Sequence, residues 1–300
     1  GHFAVTFFFV LSGFVMVISN QHIDFSQKKE KIRFWKKRGI RLLPTYYLGI
    51  LIFSSYWIYT DTPLYWNEII QNIIGVQAWS LNPYAELNPP GWSISAEFFF
   101  YLLTPFTLFF ISKKDFRTTS IIFIAIWVTT VVVFILLWID HEGGRIPFNA
   151  FPLLHIGTFL IGILTGKYWL RKKENLVFLK SHWILLSTIL LILICVSFSS
   201  VFYGVQIPLY APLFGILIFL LVLFEHNYNK IKLKKFFNFL GNLSYPIYIL
   251  HWPLIKFYHH FLGSENSIFW LIKYSFSLVL FCIVTYLVME FLFKKIYKTI

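Results

Sequence analysis

Ser93, Glu97 and Tyr101 stand at i, i+4 and i+8, which on a helix gives one polar stripe. They lie in Pro89-Pro90-Gly91-Trp92-Ser93-Ile94-Ser95-Ala96-Glu97-Phe98-Phe99-Phe100-Tyr101-Leu102-Leu103-Thr104-Pro105, which carries a carboxylate into a membrane-length apolar run. Trp92 and the prolines before it mark an interfacial start for that run. An ionised carboxylate in hydrocarbon is expensive, so Glu97 must face protein or a water cavity, or carry a proton. Two readings remain open on these residues alone. Glu97 is a structural acid satisfied by neighbouring hydroxyls and backbone, or its helix lines a site.

A second stripe falls on Ser244, Tyr248 and His251, at i, i+4 and i+7, within Leu240-Gly241-Asn242-Leu243-Ser244-Tyr245-Pro246-Ile247-Tyr248-Ile249-Leu250-His251-Trp252-Pro253. Pro246 and Pro253 each remove a helical N–H and can open a backbone carbonyl. His251 fits either a site residue or a histidine satisfied by hydrogen bonds between helices. A third set is basic: Lys37, Arg38 and Arg41, with the two arginines three apart on one helical face. Guanidinium forks suit phosphate oxygens, whether of a phosphorylated donor or of anionic lipid headgroups. His155 near the end of its span and Glu290 one turn before Lys294 are weaker signals, the latter explained by a structural i, i+4 pair. His2 sits at the chain start, and His141 and Glu142 in a polar loop. Cys195 and Cys282 lie in apolar runs without metal-ligand spacing. Phosphate-loop, dinucleotide, zinc-protease and serine-hydrolase signatures are all missing, and no metal set is expected.

The elements that must position these residues are membrane helices. Of the 300 residues, 58% are hydrophobic, 21% aromatic and only 13% charged, too few charges to clothe a soluble domain of this size. About nine runs are long enough to cross, at 3–19, 42–60, 93–111, 120–139, 151–170, 183–202, 209–224, 243–262 and 269–292. Segment 66–80 is too short and polar to cross alone, so it lies at the interface or re-enters. The net charge of +13 would suit nucleic acid, but the basic residues fall in short blocks between apolar runs. Segments at 20–41, 113–117, 171–173, 230–235 and 294–298 are basic, and they alternate with segments that hold few or no Lys or Arg. By the positive-inside rule the basic segments and the C-terminus are cytoplasmic, which puts Gly1 outside. With no Met and an apolar run almost at once, one further span is expected upstream.

Five blocks in order resemble the acyltransferase-3 family, bacterial polytopic membrane enzymes that O-acylate sugars. They are Phe7-Phe8-Phe9-Val10-Leu11-Ser12-Gly13-Phe14, then Arg38-Gly39-Ile40-Arg41-Leu42-Leu43-Pro44, then Trp92 to Tyr101, then Phe159-Leu160-Ile161-Gly162-Ile163-Leu164, then Leu240 to His251. The resemblance covers essentially the whole chain. It implies a single all-α integral membrane bundle over residues 1–300, with about nine of ten family spans present. It also implies a bacterial inner-membrane location among membrane lipids, with acetyl-CoA or another acyl-CoA as co-substrate and a cell-surface or lipid-linked glycan as acceptor. No cofactor is permanently bound, and no nucleic acid is a partner. Lys37, Arg38 and Arg41 would hold the coenzyme A phosphates. Glu97, Tyr101 and His251 would serve the reaction, and Trp92, Ser93, Ser244, Tyr245 and Tyr248 would line the substrate cavity, making one passage from donor to acceptor. The family's essential His lies upstream of the block ending Ser-Gly-Phe, and nothing here corresponds, so residues 1–300 alone are expected to be nearly inactive. Glu290 resembles the family's closing Glu, without the Pro that usually follows, and the extracytoplasmic hydrolase-like domain of some members has no counterpart. Two rivals remain: a transporter or glycan flippase, which would show internal two-fold symmetry not found here, and a non-catalytic scaffold.

Overall fold

The computed structural model of the chain describes residues 2–80, 87–140, 150–172, 187–189, 191–192, 206–227, 234–263 and 267–299. The elements among them are helical: α1 His2–Ser19, α2 Lys28–Tyr59, α3 Trp66–Ile74, α4 Gly91–Ser112, α5 Phe116–Asp140, α6 Ile156–Lys172, the single turn α7 Gln206–Leu209, α8 Ala211–Asn227, α9 Lys234–Leu262 and α10 Ile268–Thr299. Short 3-10 turns occupy Gln77–Trp79 and Pro152–His155. The all-α membrane class therefore stands. Gly91–Ser112, Phe116–Leu137, Pro152–Lys172 and Ile268–Phe293 are long and apolar enough to cross a bilayer, and Phe3–Ser19 and Ala211–Glu225 are apolar but shorter. Run 183–202 lies almost wholly outside the described residues, as do His141, Glu142 and Cys195.

Much of the basic segment 20–41 is helical. From Lys28 onward it is the first part of α2, which runs unbroken through Pro44 to Tyr59. Lys, Arg and Glu are strong helix formers, and Glu30 in the first turn suits the helix macrodipole. Segment 66–80 is a short helix followed by a 3-10 turn. The nine-residue α3 is closed by Gly75, whose φ of +74° is the left-handed cap conformation that glycine adopts without strain. Its polarity is inverted relative to a soluble helix. Trp66 and Ile74 are 79% and 60% exposed, whereas Glu68 and Asn72 are buried. An apolar outer face and a polar inner face are what a helix in contact with lipid requires.

The described chain forms two compact units. The first takes Gly1–Glu30 and Ala96–Ile231, and the second Lys31–Ser95 and Lys232–Ile300. In the first, α1 packs along α6 at glycine contacts. A Cβ on Gly162 would run into the Val10 carbonyl, and one on Gly13 into the Phe159 carbonyl. Helices in lipid gain little from apolar burial, so small residues that let backbones touch supply the packing instead. Val10, Phe14, Ile161, Trp169, Phe214 and Ile218 fill the space beside this crossing. Lys167 closes the far end of α4. Its Nζ donates to the carbonyls of Ile111 at 2.9 Å and Lys114 at 2.8 Å, and to Thr119 Oγ1 at 2.8 Å. The Ile111 carbonyl is one of the orphan acceptors that a helix C-terminus leaves, and the other two lie in the turn after α4 and on the first turn of α5. Asp115 caps the start of α5 by accepting the Thr118 N–H at 3.1 Å.

In the second unit, α9 contains Pro246 and Pro253. Pro253 has no N–H to give the Ile249 carbonyl four residues back, and Asn88 Nδ2 supplies it at 3.1 Å. Gly49 leaves room for this joint: a Cβ there would lie 2.8 Å from Ile249 Cγ2 and 2.9 Å from Asn88 Nδ2. Tyr245 ties α9 to α2 by donating to the Leu42 carbonyl at 2.8 Å, and Tyr274 of α10 donates to the His251 carbonyl at 2.6 Å.

Candidate functional site

The polar stripe of α4 divides between the units, because Ser93 belongs to the second and Glu97 and Tyr101 to the first. In the first unit Tyr101 donates its hydroxyl proton to Glu97 Oε2 at 3.0 Å, the i, i+4 pairing expected on one helical face. Ser12 Oγ stands 3.5 Å from Tyr101 Oη. Since the tyrosine proton points to the carboxylate, its oxygen is the acceptor toward Ser12. Serine, tyrosine and glutamate thus form a chain of exchangeable protons running from α1 to α4. Ser12 escaped the sequence reading. One serine in an apolar run carries no periodic signal, although the Ser-Gly-Phe motif contained it.

His155 is fully buried at the 3-10 turn before α6, boxed by the rings of Phe9 and Phe134 at 5.4 and 5.6 Å. Phe9 also meets Phe100 edge to face at 5.1 Å, and Phe100 stacks on Phe159 at 4.7 Å. An aromatic column therefore backs the residues on either side of Tyr101 and Ser12.

In the second unit the other two sets take shape. Ser93 Oγ and Tyr248 Oη both donate to the Pro90 carbonyl, at 3.0 and 3.3 Å. That carbonyl stands at the N-cap position of α4, where the Ser93 N–H reaches it as well. The two stripes read from sequence therefore share an atom. His251, half-buried, donates Nδ1–H to the Tyr248 carbonyl at 2.7 Å. That bond fixes the tautomer of the neutral ring and leaves the lone pair on Nε2, where a base would need it. Ser244 turns away from this group, since its hydroxyl donates to the Gly241 carbonyl on its own helix at 2.7 Å. Tyr245 is spent on Leu42, and Trp92 is half-buried on the first turn of α4.

Asn88 and Gln77 join this group without having been singled out in the sequence. Gln77 Nε2 donates to the Gly91 carbonyl at 2.8 Å, and both side chains are buried. A polar residue beside two prolines looks like any loop residue. Only the fold shows what it holds.

The basic set lies on α2. Arg38 is half-buried with its guanidinium 5.5 Å from the centre of the Phe34 ring, a cation–π contact one turn back. Lys37 and Arg41, four apart, are exposed on an adjoining strip of the same helix. Arg38 is thus held in place while the other two cations are free to meet an anion. Glu290 is exposed on α10, and Lys294, expected from the sequence to pair with it, lies outside the described side chains. Among the described residues no cluster of three or more His, Cys, Asp or Glu could hold a metal ion.

A family model described as an acyltransferase domain, acyltransferase-3, matches residues 1–289. The chain is also similar to the acyltransferase MdmB of Streptomyces mycarofaciens, 33% identical over 112 residues. That stretch is 35% of this chain and 28% of the relative, so it spans little more than a quarter of the curated protein. No solved structure matches. The motif blocks, the helical membrane fold and a family match reaching residue 289 agree: the chain belongs to the acyltransferase-3 family.

Proposed function

We propose that the protein is a membrane O-acyltransferase that moves an acyl group, acetyl in the first instance, from acyl-CoA to a hydroxyl of a cell-surface or lipid-linked polysaccharide. Family membership supports acyl transfer as the reaction class. The observation that carries the finer reading is the Ser12–Tyr101–Glu97 chain, a set of groups able to take and pass a proton among apolar helices. In O-acylation the alcohol loses a proton as its oxygen attacks the thioester carbonyl, and the thiolate of coenzyme A gains one as it leaves. A carboxylate bonded to a phenol can orient and buffer that exchange, and a histidine supplies a base near working pH. His251, with its lone pair set on Nε2, has the tautomer for such a role, and the resemblance assigns the main base to a histidine upstream of Phe7. Lys37, Arg38 and Arg41 suit the phosphates of the donor, whose charge calls for cations at the membrane surface. The alternation of basic segments supports a cytoplasmic donor side and a cytoplasmic C-terminus, and the family resemblance supports a bacterial inner-membrane location.

The test is transfer of label from radioactive acetyl-CoA to surface polysaccharide by membranes containing the whole gene product. Label in the glycan, removed by mild base as an O-ester, is the expected result. Solute uptake or glycan flipping with no acyl-CoA consumed would overturn the reading in favour of a transporter.

A further inference from the structure

Among the buried side-chain oxygens of the second unit that lack a hydrogen-bond partner, three belong to residues gathered around the start of α4. They are Gln77 Oε1, Asn88 Oδ1 and Ser95 Oγ, on side chains only 2%, 0% and 1% exposed. Folded proteins pair nearly all such groups, so an orphan in a native site calls for a missing partner. The surrounding bonds fix what kind. Gln77 Nε2 is committed to the Gly91 carbonyl and Asn88 Nδ2 to the Ile249 carbonyl. Turning either amide over would set oxygen against oxygen, so Oε1 and Oδ1 are the atoms left without a partner, and both are acceptors. Ser95 follows from the same contact. A serine within a helix usually bonds back to the carbonyl four residues earlier, as Ser55 does to Leu51 and Thr104 to Phe100. For Ser95 that carbonyl belongs to Gly91, and Gln77 already occupies it. Its hydroxyl is left with both a proton and lone pairs to offer.

Two amide oxygens and a hydroxyl, with no charged group among them, match a ligand rich in O–H groups and neutral at the point of contact. They do not match an anion, which would need donors. The Pro90 carbonyl that gathers Ser93 and Tyr248 adjoins Gly91, so the orphan oxygens border the hydroxyl groups already described. We infer that Gln77, Asn88 and Ser95 form the subsite that holds a hydroxyl of the sugar acceptor next to the reacting one. This rests on the O-acylation reading and names the groups that would grip the acceptor. Water offers the same O–H chemistry, and the test separates the two.

Ser95→Ala removes the hydroxyl without touching the bonds to Gly91 or Ile249, so it should fold and melt like the parent. In membranes of the whole gene product, the expected result is a KM for the glycan about tenfold higher, with kcat and the KM for acetyl-CoA unchanged. An unchanged glycan KM overturns the inference and assigns the oxygens to ordered water. A lowered melting temperature with all kinetic constants affected overturns it as well, as a structural role. If the parent transfers no acyl group at all, the transfer reading falls and the subsite is decided by binding alone. Methyl hexopyranosides are then tested one by one against the protein in lipid nanodiscs. A rise in melting temperature that Ser95→Ala abolishes supports the subsite, and no rise with any of them overturns it.

Discussion

Tyr248 and Ser93, 155 positions apart in the chain, donate their hydroxyl protons to one acceptor, the carbonyl of Pro90. The Ser93 N–H reaches the same oxygen at 3.3 Å. Losing one donor leaves the carbonyl satisfied, and losing both hydroxyls leaves it with one long bond. Tyr248→Phe and Ser93→Ala should each cost about 0.5–1 kcal/mol, and the double variant more than their sum. A double-mutant cycle of unfolding in detergent reads this directly. Simple additivity would mean the shared carbonyl couples nothing.

The crossing of α1 and α6 predicts a sharp contrast between two glycines. Gly162→Ala forces a methyl group against the Val10 carbonyl and should destabilise by about 1–3 kcal/mol. Gly241→Ala, inside α9 with nothing within 4 Å of the new Cβ, should be neutral or stabilise by up to about 1 kcal/mol. Thermal melts of the two variants in one detergent give the comparison.

On activity, the two polar groups should fail in different ways. Glu97→Gln should lower kcat by about 10²-fold or more, because the proton chain loses its acceptor. Tyr101→Phe, which keeps the ring and breaks the chain, should lower it less. Arg38→Ala should raise the KM for acyl-CoA by about 10- to 100-fold and leave the glycan KM alone. If Arg38→Ala altered only the glycan KM, the basic set would belong to something other than the donor.

Two carboxylates outside the spans should give pH dependences of opposite sign. Hydrogen bonds from the Thr118 hydroxyl and N–H hold the Asp115 carboxyl below its ordinary value. Its contribution to stability is therefore complete above the ordinary carboxylate range and lost as pH falls through the lowered folded value. Burial pushes the Glu68 carboxyl up, so its effect runs the other way: stability is higher when it is protonated and falls as pH rises toward the raised value. Melting temperatures between about pH 3 and 8 should lose the first slope in Asp115→Asn, which keeps the cap. They should lose the second in Glu68→Gln, which should also be the more stable protein at neutral pH.

What the sequence made legible was local. The i, i+4 spacing of Glu97 and Tyr101 is a property of one helix, and the bond between them appears as expected. The prolines of α9 promised an open carbonyl, and the Ile249 carbonyl is one. Partners far along the chain were not legible. Nothing near Asn88 points to Ile249, and nothing near Ser12 points to Tyr101. Ser244 shows the converse, since its place on the stripe is right and yet its hydroxyl is spent on Gly241. The helical face read for Arg38 and Arg41 is there, but the helix starts at Lys28, well before the apolar run at 42–60, because Lys, Arg and Glu favour helix. On α3 Glu68 and Asn72 are buried while Trp66, Ile70 and Ile74 are exposed, a reversal that hydrophobicity alone would assign the wrong way round.

The joint between Asn88 and Ile249 also bears on how the protein is made. The ribosome must add 161 residues after Asn88 before its partner exists. During that interval the amide must be hydrated or shielded by the insertion machinery. Nascent chains halted before α9 emerges should stay open to protease around 87–91, and closure should come only once Ile249 and Pro253 have been threaded into the bilayer.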